Sequence, residues 1–105
     1  TFNYVGGSLV ESTRWAVFRN NDFRLWAKLK NQIEEFLAGM FANGQLAGSK
    51  ASDAFFVQID GTTTTPTHVD NGELIAIIGI APQRPAEFIV FQLSQTQAGG
   101  SVTVL

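Results

Sequence analysis

The stretch Gly72-Glu73-Leu74-Ile75-Ala76-Ile77-Ile78-Gly79-Ile80-Ala81-Pro82-Gln83-Arg84-Pro85-Ala86-Glu87-Phe88-Ile89-Val90-Phe91-Gln92-Leu93-Ser94 decides the fold. It reads as two strongly apolar strands, Leu74 to Ile80 and Phe88 to Leu93, joined by a short connection bracketed by Pro82 and Pro85. The first is apolar at nearly every position, which predicts a central strand covered on both faces, with the second paired beside it. A polar, glycine-containing spacer follows, Gln95-Thr96-Gln97-Ala98-Gly99-Gly100, with the composition of a linker. Last comes a β-prone pentapeptide, Ser101-Val102-Thr103-Val104-Leu105. A compact domain has no evident need for that tail. An assembling one can use it, because a dangling strand can pair with a neighbour's sheet edge. The tail therefore points towards polymerisation and away from catalysis.

Upstream, the clearest signal is a helix from Asp22 to Asn43. Leu25, Trp26, Leu29, Ile33, Phe36, Leu37, Met40 and Phe41 recur at i, i+3/i+4, i+7 and form one broad apolar stripe. Asn20 or Asn21 can cap its start, Asp22 suits the positive end of the helix dipole, and Gly44 sits where a left-handed terminator belongs. If fully buried, Phe36 would cost about 3–5 kcal/mol on truncation to alanine. The opposite face carries Arg24, Lys28, Lys30, Asn31, Glu34 and Glu35, with Lys30 and Glu34 in i,i+4 reach.

The remaining elements are shorter. Phe2, Val5, Leu9 and Val10 have roughly helical spacing, but Gly6 and Gly7 interrupt them at about 1 kcal/mol each, predicting a weak or truncated helix. Residues 14–18, Arg-Trp-Ala-Val-Phe, are aromatic and β-branched and predict a short strand. Residues 48–53 predict a turn that can hold one helical turn capped by Ser49. Ala54 to Ile59 predicts a strand. Pro66 opens a short helical turn with Thr65 as cap and Gly72 as stop. The whole is α+β: a single domain with a mixed β-sheet packed against one long amphipathic helix, plus short helices and a C-terminal β-arm. Residues 1–94 form the domain, and 95–105 the linker and arm for strand exchange.

Composition narrows the function classes. A chain of 105 residues with 45% hydrophobic content suits one domain with a real core, to which nine phenylalanines and two tryptophans contribute. A net charge of -2 argues against a nucleic-acid surface, which needs clustered Lys and Arg. Cysteine is absent, so there is no disulfide framework, thiolate metal site or cysteine nucleophile. No apolar run reaches the roughly 18 residues of a membrane span, and the N-terminus lacks a signal peptide's pattern. A start at Thr1 rather than Met suggests a piece of a longer chain.

The constellations that could carry chemistry are thin. His68 is the sole histidine, with Asp60, Asp70 and Thr62 to Thr65 nearby in sequence. No nucleophile-elbow pattern surrounds any serine, and a histidine beside a helix-capping Thr is the simpler reading. Asp60, Asp70 and Glu73 offer oxygen ligands without the spacing of a known cation loop. Glu34 and Glu35 project about 100° apart on a helix and do not converge as an acid–base pair must. Neither Gly-Gly pair lies between a strand and a helix N-terminus, so no phosphate cradle is expected. Gly79 reads as a bulge or a close approach. Trp15 and Trp26 read as core residues rather than stacking platforms.

In one order, Thr13-Arg14-Trp15-Ala16-Val17-Phe18, Asn21-Asp22, Leu25-Trp26, Phe36-Leu37, Gly44-Gln45-Leu46-Ala47-Gly48, Ala54-Phe55-Phe56-Val57, Asp70-Asn71-Gly72 and Ile78 to Phe88 closely resemble the C-terminal domain of contractile tail sheath proteins. The resemblance covers about residues 8 to 95. Its most specific element is the Ala-Pro-x-x-Pro-Ala-Glu-Phe block at 81–88. At Gly6 and Gly7 the chain departs from a helix that is continuous in the family. The resemblance implies a non-enzymatic structural subunit of a phage tail, an R-type bacteriocin or a related injection machine. It implies assembly in the bacterial host cytoplasm into a tail or tail-like particle. Its partners would be other sheath subunits, through the arm Ser101, Val102, Thr103, Val104 and Leu105, and an inner tail tube. Arg24, Lys28, Lys30, Glu34 and Glu35 are the candidate tube-facing residues. No catalytic residue, cofactor, metal, nucleic acid or direct membrane insertion is implied. Two other readings are a stand-alone module binding peptides along a sheet edge and a small hydrolase fragment using His68.

Overall fold

The computed structural model describes residues 2–18, 22–81, 89–96 and 98–105. The chain runs α1 (Phe2–Ser12), a 3-10 helix (Arg14–Phe18), α2 (Phe23–Ala42), α3 (Ala51–Ala54), β1 (Phe55–Gln58), α4 (Pro66–Asp70), β2 (Leu74–Ile80), β3 (Ile89–Thr96) and β4 (Gly99–Val104). The strands form one four-stranded sheet in the order β1-β2-β3-β4, antiparallel at every pairing. The α+β class is as expected, but the sheet is antiparallel throughout and not mixed, because each strand returns beside its predecessor with no parallel crossover. The Pro82–Pro85 connection, the 82–88 part of the specific block and the Asn20 and Asn21 caps lie outside the described residues.

Side chains alternate across the pleat, so one face collects the core. Val57, Leu74, Ala76, Ile78, Ile80, Phe91 and Leu93 point inward and are buried. They pack under α2, whose Leu25, Leu29, Ile33, Leu37 and Met40 form the buried stripe, and under Val5 and Leu9 of α1. Trp26, Phe36 and Phe41 flank that stripe, half-buried. α1 lies over β3 and β4, and α2 over β1. On the outer face of β2, Ile75 is buried and Gly79 lies beneath the Phe56 ring, within 2.6 Å of where a Cβ would stand. Ile77 is only half-covered. Gly79 is thus a close approach, as its place in a strand suggested.

Helix ends follow local rules. The Asp22 carboxylate accepts from the amides of Arg24 and Leu25, 3.1 Å each, and so is the cap of α2. Gly44, at φ +78, ends it: Gly44 N–H donates to Phe41 O and Gln45 N–H to Met40 O. Gly72 closes α4 the same way, through Val69 O and His68 O. At α3 the cap position is Lys50, with no side-chain cap. Ser49 donates to Asp53 instead, at 3.2 Å.

Two further expectations are corrected. Residues 14–18 form a 3-10 helix, not a strand. A short β-prone segment needs a free edge, and strand preference depends on context. Here the backbone closes locally, Thr13 N–H on Leu9 O and Ala16 N–H on Thr13 O. The Trp15 indole N–H then ties the turn to Gln32 at 3.0 Å. Second, α1 is continuous through Gly6 and Gly7. Val5 and Leu9 anchor it in the core, and that burial outweighs the glycine penalty. The Phe2 side chain lies outside the described residues.

The two glycines differ in surroundings. A Cβ at Gly6 would stand 3.4 Å from Val102 Cγ2, whereas one at Gly7 would meet nothing within 4 Å. Gly7→Ala is therefore expected to stabilise the domain by about 0.4–1 kcal/mol, read as a melting temperature raised by a few degrees. A lowered melting temperature would contradict the continuous helix.

Candidate assembly interface

The arm is strand β4, at the open edge of the sheet. It pairs with β3 through Phe91↔Val104, Leu93↔Val102 and Gln95↔Gly100, and the Leu105 amide donates to Val90 O at 2.9 Å. Val102 is half-buried, while Ser101, Thr103, Val104 and Leu105 are exposed, the last two at 57% and 65%. The spacer differs from the linker expected. Gln95 and Thr96 complete β3, and Gly99 and Gly100 begin β4, leaving residues 97 and 98 between the strands.

What orders this segment is a polar cluster under α1. Gln95 continues the inward alternation of Phe91 and Leu93 and is fully buried. Its Nε2 donates to Val10 O at 2.7 Å and to Thr13 Oγ1 at 2.8 Å. Arg14 Nη1 donates to Gln95 Oε1 at 3.3 Å and to Thr96 O at 2.9 Å. A buried amide must have partners, and these come from residues more than 80 positions away. That separation is why Gln95 and Arg14 drew no notice in sequence. The available signal was the period-2 placement of Gln95 behind two apolar residues.

The polar residues of α2 do not form one patch. Arg24, Lys28 and Glu35 are exposed, and Lys30 and Glu34 half-buried. Lys28 and Lys30 project about 160° apart from helix geometry. Lys28 Nζ lies 5.4 Å from the centre of the Trp15 ring, and the Arg24 guanidinium 5.7 Å from that of Phe23. Glu34 and Glu35 instead line an open groove of about 580 Å³ beside Phe55, Phe56 and Val57 of β1.

The residues considered for catalysis have structural work. His68 Nδ1 accepts from the Thr65 amide at 3.1 Å, one half of a capping box on α4. Asp60 organises the turn after β1. The Thr62 hydroxyl, then the Thr62 amide, hold its carboxyl below the usual carboxylate range against the opposing effect of desolvation, with smaller contributions from Gln58 and the Thr63 amide. Thr64 is buried, and its Oγ1 donates to Ile75 O and accepts from Ile75 N–H, supplying the ladder bonds β1 is too short to give. Among the described residues no three acidic or histidine side chains gather to hold a metal, and no helix is long and apolar enough to cross a membrane.

The fold is an antiparallel meander covered by helices on one face, with β4 at one rim. Residues 1–96 match the family model of the phage tail sheath C-terminal domain, and the chain belongs to that family. It is also similar to a chain of the anti-feeding prophage (AFP) baseplate, with 32% identity and a TM-score of 0.73 over 84% of this chain and 25% of that one. A chain of the PVC sheath complex, an extracellular contractile injection system in its contracted state, gives 38% identity and 0.72 over 92% and 28%. The present chain thus spans about a quarter of each. No curated protein sequence matches.

Proposed function

We propose that this domain is part of a contractile tail sheath and joins its neighbours by strand exchange through residues 101–105. The observation that carries this is the position of β4. It is one of the two edge strands, it lies beyond the 1–96 family match, and its end exposes Val104 and Leu105. Backbone pairing at such an edge supplies connection, and the Val102–Thr103–Val104 alternation supplies register. In this reading the body runs through the end of β3 at Thr96, two residues beyond the boundary expected at 94, and the chain from there to 105 is the connecting element. Subunits polymerise around an inner tail tube within a tail or tail-like particle formed in the host cytoplasm. Contraction of the sheath drives the tube through a target membrane, with no active site in this domain. The relatedness to the PVC sheath complex in its contracted state supports the setting.

Deleting residues 101–105 from the full-length parent should leave the domain folded and abolish tubes in negative stain. Normal striped tubes from that deletion would overturn the arm's role. They would favour a module whose last strand is dispensable.

We place the tube contact on α2 and, of Arg24, Lys28, Lys30, Glu34 and Glu35, assign it to the side carrying the exposed Arg24, Lys28 and Glu35, which fall within about 40° of one another, whereas Lys30 and Glu34 are half-buried on another side. Exposed charge pairs contribute only about 0–1 kcal/mol each, which suits a contact that keeps register and releases on contraction. Reversing Lys28 and Glu35 together should leave the fold intact and give sheaths that assemble empty or fail to start. Tube-filled sheaths of normal length would rule this face out.

A further inference from the structure

Strand β4 is held by more than its backbone ladder. An ideal Cβ at Gly100 would stand 2.5 Å from Gln95 Oε1 and 2.9 Å from both Gln95 Cδ and Val10 Cγ1. A free glutamine would swing aside at little cost. This one is fully buried and bound at both ends of its amide, to Val10 O, Thr13 Oγ1 and Arg14 Nη1. Moving it leaves buried polar groups without partners. Two residues on, Val102 packs over Gly6 of α1, where even a Cβ would come within 3.4 Å. Val104 follows, opposite Phe91. The groove between α1 and β3 therefore selects at alternate positions: no side chain over Gln95, then a valine over the bare backbone of Gly6. A slip of one residue would set Gly99 or Ser101 against Gln95 and turn both valines outward.

We infer that Gln95 and Gly6 set which strand the groove between α1 and β3 accepts from a second copy of this chain, Gln95 requiring glycine at position 100 and Gly6 receiving the valine at 102. This rests on the strand exchange proposed above. The occupant is identified by the strand that already fills the groove, since residues 100 and 102 meet both of its demands.

The test uses the full chain with Gly100→Ala and, separately, Val102→Asp, which vacate the groove by different routes. Residue-resolved amide exchange should show residues 101–104 of the Gly100→Ala chain losing protection by about tenfold or more, as overpacking at a packed site would produce. The amides of α2 and β2 should keep theirs. An acetylated peptide of residues 99–105 should then bind each opened chain. The same peptide with alanine at 100 should bind about tenfold more weakly or worse. Unchanged protection in Gly100→Ala would overturn the inference. So would equal binding of the two peptides to the Val102→Asp chain, the measurement that decides if Gly100→Ala does not fold. Tube formation by the arm-deleted parent tests the exchange itself and leaves these peptide measurements untouched, so the two failures are told apart.

Discussion

Phe91→Ala is expected to lower stability by about 3–5 kcal/mol, the cost of emptying a fully buried aromatic site. Phe91 is 0% exposed and stands on the inner face of β3, between Ile78 of β2 and Val104 of β4. Strands flank it on both sides and it belongs to the same buried cluster as the helix residues above the sheet, so collapse around the void is difficult. Against a total of about 5–15 kcal/mol for a domain of this size, the loss leaves a marginal fold. Urea unfolding should show a much lower midpoint at an unchanged slope. Val90→Ala, one residue earlier and on the outer face, provides the control and should cost far less. Equal losses at 90 and 91 would mean that the assigned face of β3 is wrong.

The second large effect distinguishes two neighbours on α2. Leu37→Ala should cost about 2–5 kcal/mol, and Phe36→Ala less than that site's full aromatic value. The apolar stripe marked both as core, and side-chain size alone favours Phe36. Leu37 is fully buried within the stripe, whereas Phe36 is half-buried and leans on the exposed Tyr4 of α1, ring centroids 6.3 Å apart. Part of what Phe36 loses on truncation is contact with a side chain already in water. Thermal melts of the two variants would settle the order, and a larger loss at Phe36 would refute it.

The elements legible in sequence were those written by local rules. The period of α2, the glycine stops at 44 and 72, the Thr65–Pro66 helix start and the apolar run of β2 each need only nearby residues to act. Residues 14–18 were misread because a strand needs a partner edge, and nothing in the pentapeptide says whether one is free. The same holds for Gly6 and Gly7: their helix is held by Val5 and Leu9 in the core, a tertiary effect. Of the candidate interface, the β character of residues 101–105 was visible. Its seat was not, because the seat is made by Gln95 bonding to Val10 and Thr13 at the other end of the chain. The polar residues of α2 were visible as a set, and helix geometry already separates Lys28 from Lys30, but that Lys28 meets Trp15 and that Glu34 and Glu35 line a groove beside β1 depends on tertiary placement.

The two-residue connection between β3 and β4 also has a consequence in mass action. A strand on so short a tether meets its own edge at an effective concentration in the millimolar range or above. An arm from another copy competes on equal terms only at a comparable local concentration. Dilute chains fall far short of that, so in the exchange reading they remain separate, each with its edge occupied. Chains already held side by side reach it at once. In that reading growth would proceed from chains already held side by side and not from free solution, and the length of this connection would set the threshold between the two.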